Sequence, residues 1–189
     1  MKSGGRILGI DDAPHTFNEQ TVAVVGTVVR PPCYLEAVMT SRCEIDGTDA
    51  TAVICSMLER SHYREQIRAV LLDGIALGGF NVVDIQQLAE FAGVPVITVT
   101  RNEPDLASME AALRKHHADW EKKLNMVLRA SPMRIDLPEA SSWISCAGCS
   151  RQEAEEIVRM AVVQGGVPEP VRMAHLIATA LGRGESRGL

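Results

Sequence analysis

Three strand-like runs in succession, with no helical period between them, stand at the start of this chain and restrict its topology more than any other feature. The first is RILGIDD, residues 6 to 12, an apolar run that ends on two adjacent carboxylates just before Ala13 and Pro14. After a polar bend comes TVAVVGTVVR, residues 21 to 30, whose valines and threonines favour a pleated, half-buried surface. Past Pro31 and Pro32, residues 33 to 46, CYLEAVMTSRCEID, partly alternate apolar and polar positions. Connections this short join antiparallel neighbours, because a parallel crossover needs about a dozen residues or more.

The period then changes. Ala50, Val53, Ile54, Met57 and Leu58 recur at helical spacing and predict a helix starting near Thr48 or Asp49. IRAVLLDG, residues 67 to 74, is a continuous apolar run closed by Asp-Gly, the pattern of a strand buried on both faces. A glycine-rich turn, GIALGGFN, a helix in VVDIQQLAEFAG and a second buried strand, VPVITVTR, complete a parallel β-α-β crossover. Residues 105 to 129 predict one long charged helix, and a loop with Pro132 and Pro138 leads to a short strand, SWISCAG. SRQE, residues 150 to 153, is a capping box for the next helix, and the last helix carries proline in its first turn. A doubly wound nucleotide-binding sheet would alternate strand and helix from the outset. Three antiparallel strands followed by a parallel β-α-β unit and further helices give instead an α/β fold with a ribonuclease-H-like mixed sheet.

A chain of 189 residues is expected to form a single domain over residues 1 to 189. No run approaches the ~20 apolar residues of a membrane span. The short apolar stretch near the N-terminus closes on acids rather than on a small-residue cleavage site, so a cytoplasmic protein is expected. Five cysteines, an odd number, suggest reduced thiols. A net charge of −5 opposes a protein that coats nucleic acid by bulk positive charge, yet allows an enzyme with a local basic groove.

In such a sheet the first and fourth strands lie side by side at the centre, so Asp11 and Asp73, each ending an apolar run, are expected to be neighbours. Two adjacent carboxylates repel unless a hard cation or a shared proton separates them. Asp49, in DGTDAT, is the candidate third acid, with Asp46 as its competitor. Such a set suits Mg²⁺ or Mn²⁺ acting on a phosphodiester. Asp49 is equally the N-cap of its helix. Gly78, Gly79 and Asn81 fall just past Asp73, where backbone N–H groups can approach an anion. The same turn also reads as a tight strand-to-helix connection with Asn81 as helix cap. Asp84 is a lower-ranked acid. The Cys146/Cys149 pair has no partner set at zinc spacing, and the RKHH segment at residues 114 to 117 reads as a solvated helix face.

The strings LGIDD, DGTDAT, LDGIALGGFNVVDI, PVITVTR and PEPVRMAHLIA resemble the archaeal endonuclease dU family, itself distantly similar to endonuclease V, over about residues 6 to 186. The resemblance implies a metal-dependent endonuclease of DNA repair that acts at or beside deaminated bases such as deoxyuridine or deoxyinosine, with DNA, or RNA, as its partner. By position it implies Asp11 and Asp73 as ligands and Asp49 where endonuclease V has a glutamate. It implies His175 beside the metal, with Arg172 on the same helical face and able to reach one phosphate. Tyr34 stands loosely where endonuclease V has its wedge tyrosine, although the rest of that motif is absent. The residues alone also permit His175 as a core cap and Arg172 paired with Glu169. Two rival functions stay open: a nucleic-acid-binding module that does not cut, and a phosphoesterase for small nucleotides.

Overall fold

The computed structural model describes residues 5–16 and 18–187. Its strands are β1 (Arg6–Asp12), β2 (Thr21–Arg30), β3 (Tyr34–Glu44), β4 (Ile67–Asp73), β5 (Ala76–Leu77), β6 (Asn81–Val82), β7 (Val96–Thr100), β8 (Met133–Asp136) and β9 (Ser141–Ala147). The helices are α1 (Ala50–Arg60), α2 (Ile85–Ala92), α3 (Leu106–His116), α4 (Trp120–Ala130), α5 (Arg151–Ala161) and α6 (Glu169–Arg183). One seven-stranded sheet has the order β3-β2-β1-β4-β7-β9-β8. β1, β2 and β3 form antiparallel pairs, β4 runs parallel to β1 and β7 parallel to β4, and β9 and β8 return antiparallel. This is the ribonuclease-H-like mixed sheet that the order of periodicities predicts, with the carboxyl ends of β1 and β4 adjacent at its centre.

The apolar runs of β1 and β4 are continuous because both faces of the sheet are covered. Leu8, Ile10, Val70 and Leu72 join the core beneath α1 and α2, while Ile7, Ala69 and Leu71 join the core beneath α5 and the first turn of α6. Gly9 faces α6. A Cβ at this position would collide with the Pro170 backbone, so glycine here lets the start of α6 rest directly on the central strand. The Thr27 hydroxyl donates a 2.6 Å hydrogen bond to the Pro170 carbonyl and fixes the same contact from β2. At the other end of α6, Gly182 packs against Pro14, where an added Cβ would come within 2.8 Å of the Pro14 oxygen. The helix is thus seated at both ends, and residues between those seats are held over the end of β1.

Three local expectations are corrected. Residues 105 to 129 form two helices, because His117 adopts an extended conformation (φ −125°, ψ 125°). Its ring lies 3.3 Å from the buried Lys123 ammonium, which donates to the Asp46 carbonyl at 2.8 Å, so a side-chain network takes the place of helix continuation. The segment between Pro132 and Pro138 contains β8, an edge strand too short to show a period. The glycine-rich turn folds into the β5–β6 hairpin. The capping box at Ser150 and Glu153 forms as expected. Among the described residues no helix is long and apolar enough to cross a membrane.

Candidate metal centre

Parallel register pairs Ile10 with Leu72, so the next residues, Asp11 and Asp73, leave the sheet side by side. α6 brings His175 to the same point. Its Nδ1 lies 2.8 Å from Asp11 Oδ2 and 3.7 Å from Asp73 Oδ2. One ligand atom from each of the three residues lies within 4.8 Å of the others. Asp11 is only 6% exposed, whereas Asp73 and His175 are half-buried and face a cleft of about 760 Å³. His15, Thr179 and Arg183 also line this cleft.

The electrostatics follow from the packing. Burial, then the neighbouring Asp73 and Asp12 charges, push the Asp11 carboxyl up to about 8, against a backbone hydrogen bond from the Asp12 N–H. Burial also raises Asp73, an effect opposed by His175 and Arg101. His175 Nδ1, 2.8 Å from Asp11 Oδ2, shares a hydrogen bond with the pair and offsets part of the repulsion between the two carboxyls. On the other side of the ring, His175 Nε2 lies 3.4 Å from the Thr179 hydroxyl, which can donate to it or accept from it. Two carboxylates and one imidazole are a donor set for a divalent cation, and a cation would compete with the proton for the Asp11 oxygen and His175 Nδ1.

Asp49 does not join this cluster. Its carboxylate accepts from the Asn81 side-chain amide at 2.6 Å and from the Glu44 N–H at 3.1 Å, which holds it at the mouth of α1. The expected third ligand is therefore an organiser of the β3–α1 turn. Its competitor Asp46 has φ 57° and accepts from the Phe80 N–H at 2.8 Å, again away from the cluster. Asn81 is fully buried. It caps α1 by accepting from the Ala50 N–H and donates to the Glu44 carbonyl, so it has no group left for nucleic acid. The cap of α2 is Asp84, which accepts from the Gln86 and Gln87 N–H groups.

Gly78 and Gly79 do adopt the left-handed conformations that favour glycine, φ 52° and 82°. The Gly78 N–H, however, donates to Asp12 Oδ2 at 3.0 Å, so an internal carboxylate occupies the place expected for a phosphate. Arg172 forms a two-pronged pair with Glu169 at 2.8 and 2.7 Å, an interaction its spacing of three residues on α6 favours. Tyr34 is 61% exposed and pairs in register with Arg30, while Asp11 lies level with Val25 and Thr40. At about 3.3 Å per residue, Tyr34 is roughly 20 Å along the strand from the cluster. The sequence reading missed Thr179 and Arg183, although they follow His175 at intervals of four on one face of α6, a signal periodicity could have supplied.

The Endonuclease dU family profile matches residues 3–182. A UPF0215 protein of Methanothermobacter thermautotrophicus is 42% identical over 189 residues, covering 100% of this chain and 93% of that one. A crystal structure of a protein of unknown function from Archaeoglobus fulgidus superposes with a TM-score of 0.84 at 38% identity, over 95% of this chain and 99% of that one. Endonuclease V of Ciona intestinalis, solved with a 24mer DNA containing an inosine followed by a ribo-adenosine, gives a TM-score of 0.56 at 15% identity, covering 90% of this chain and 82% of that one. The last likeness is one of fold. From the family match and the identity along its whole length, the chain belongs to the Endonuclease dU family.

Proposed function

We propose that Asp11, Asp73 and His175 hold a divalent cation, Mg²⁺ or Mn²⁺, and that the cleft around them hydrolyses a phosphodiester in DNA, or RNA, at or beside a deaminated base as a step of repair. The observation that carries this reading is the convergence of the three ligand atoms at the end of the central strand pair. A bound cation would lower the pKa of a water and neutralise charge on the phosphate. The protein's own groups bind and orient. Arg183 lines the cleft as a cation for the phosphate backbone, taking the role expected of Arg172, and His15 lines the same cleft as a hydrogen-bonding group. The seat of α6 on Gly9 holds His175 against Asp11, and Thr179 orients its ring.

The test is a nicking assay on duplexes that carry one deoxyuridine or one deoxyinosine, with Mg²⁺ and with Mn²⁺. Cleavage that Asp11→Asn abolishes supports the reading, and cleavage that survives this substitution sinks it. The diversion of Asp49 to Asn81 leaves two carboxylates in the cluster and favours, as a second reading, a binder that does not cut. Calorimetric titration with Mn²⁺ separates the two, since the nuclease must take up the cation at Asp11 and Asp73.

A further inference from the structure

Cys146 and Cys149 stand at C-x-x-C spacing, and the proposed reaction uses neither. Cys146 is the penultimate residue of β9, and Cys149 directly precedes Ser150, the N-cap of α5. Between them Gly148 adopts φ 73° and turns the chain back on itself. A Cβ at Gly148 would sit 3.1 Å from the Ala89 methyl, so the turn is held tightly against α2. The two side chains consequently meet. The Cys146 thiol donates to the Cys149 carbonyl at 3.9 Å, and the Cys149 thiol donates to the Cys146 sulfur. Both are half-buried against the core beneath α5, so each is partly open to solvent.

A closed metal site needs further ligands, and among the described residues no third histidine, cysteine or carboxylate joins this pair within ligand reach. The hydrogen bond between the thiols makes them unequal. Burial raises the Cys146 thiol, and the hydrogen bond from Cys149 opposes that rise. Burial, then the Cys146 charge and the donated hydrogen, push Cys149 up to about 12. Cys146 is the first of the two to form a thiolate, which is the attacking species in thiol–disulfide exchange.

We infer that Cys146 and Cys149 are a thiol–disulfide couple oxidised by a low-molecular-weight disulfide, with Cys146 as the attacking thiol and Cys149 as the resolving one. Cys146 gives its proton to solvent and attacks one sulfur of the small disulfide, whose S–S bond breaks as the departing sulfur takes up a proton. Cys149 then loses its proton, attacks the Cys146 sulfur and displaces the second small thiol, protonated in turn. Two protein thiols become one disulfide, and the small disulfide is reduced to two thiols. The new bond staples the end of β9 to the start of α5. Cys146 is level with Ile97 on β7 and Asp73 with Val99, so the turn lies toward the opposite end of that strand from the metal centre. The inference therefore stands whether or not the nuclease reading does.

The experiment exposes the native wild-type chain to oxidised glutathione and quenches it with acid. Trypsin cuts after Arg134 and Arg151, so one peptide, residues 135 to 151, carries both cysteines and no other. That peptide should become lighter by two hydrogen atoms, while the exposed thiol of Cys33 keeps its glutathione adduct. In Cys149→Ser protein the adduct should remain on Cys146. With limiting iodoacetamide, singly labelled wild-type peptide should carry the label on Cys146 at least about threefold more often than on Cys149. A lasting adduct on the wild-type peptide, or two free thiols there while Cys33 is modified, overturns the couple. A labelling ratio below that value overturns the assigned order. If Cys149→Ser fails to fold, the wild-type labelling alone decides the order.

Discussion

Replacing Asp11 by asparagine should stabilise the metal-free protein. The substitution keeps the shape of the side chain and the oxygen that accepts the Asp12 N–H, and its NH2 can donate to His175 Nδ1 when the ring carries its proton on Nε2. What it removes is a buried carboxyl that must keep its proton to stay in the folded chain. Burial and the Asp73 and Asp12 carboxylates hold Asp11 at about 8, against 3.8 for the ordinary group. In the unfolded chain the carboxyl loses its proton near its ordinary pKa, whereas the folded chain retains it until the pH approaches the raised value. The folded state is therefore disfavoured progressively as pH rises between those values, and the penalty is absent below both.

At neutral pH the full linkage corresponds to about 4 kcal/mol, and relaxation with water entry into the cleft reduces this to about 2 kcal/mol. For a chain of this size that is about 4–8 °C in Tm. Urea unfolding with chelator at pH 4, 5.5 and 7 should show wild type and Asp11→Asn converging at the lowest pH and separating toward the highest. Residual slope in the variant is expected from Asp73 and Asp12, whose pKa values burial also raises. Mn²⁺ should then stabilise wild type alone and narrow or reverse the order. An Asp11→Asn protein less stable than wild type at pH 7 in chelator would refute the reasoning.

Gly9→Ala should cost about 1–3 kcal/mol or more and weaken Mn²⁺ binding at least tenfold by calorimetry, because the new methyl displaces the start of α6 and with it His175. Gly26→Ala is the control: its Cβ meets the flexible end of Met57, so stability alone should respond. Asn81→Ala leaves the Ala50 N–H and Glu44 carbonyl without their partner and should lower stability by about 1–3 kcal/mol in urea unfolding. Arg183→Ala should weaken strand binding and reduce the slope of log affinity against log salt by roughly one, and an unchanged slope would remove Arg183 from the phosphate contact.

The central strands were legible because their signal is redundant. ILGI and AVLL are apolar on both faces and each ends in Asp, so strand type, burial and the meeting of Asp11 with Asp73 follow from one pattern. The third ligand was less legible. Distance along the chain favoured Asp49, but Asn81 is 32 positions away in sequence and binds it at 2.6 Å, a contact no local period records. The break between α3 and α4 has a similar cause, since Lys123 meets the Asp46 carbonyl from 77 positions away. His175 came into view through family resemblance, while Thr179 and Arg183 were available from periodicity alone. Arg172 was mistaken because an intrahelical partner three residues before it competes with any phosphate.

The doubled acid at the end of β1 ties these parts together. Adjacent strand residues point to opposite faces. Asp11 therefore turns toward α6 and binds His175, while Asp12 turns the other way and accepts the Gly78 N–H. Gly78 belongs to the turn of the β5–β6 hairpin, and the next two residues, Gly79 and Phe80, line the cavity beneath α3 and α4. One strand end thus fixes the Asp11–Asp73–His175 cluster on one face and a wall of the cavity on the other, with Gly74 following Asp73 in the lining of that cavity. Alanine at position 12 would leave Asp11, Asp73 and His175 in place yet remove the acceptor of the Gly78 N–H, whereas asparagine would keep an oxygen there. The two carboxylates consequently divide their roles: Asp11 joins the cluster with Asp73 and His175, and Asp12 holds the turn of the β5–β6 hairpin.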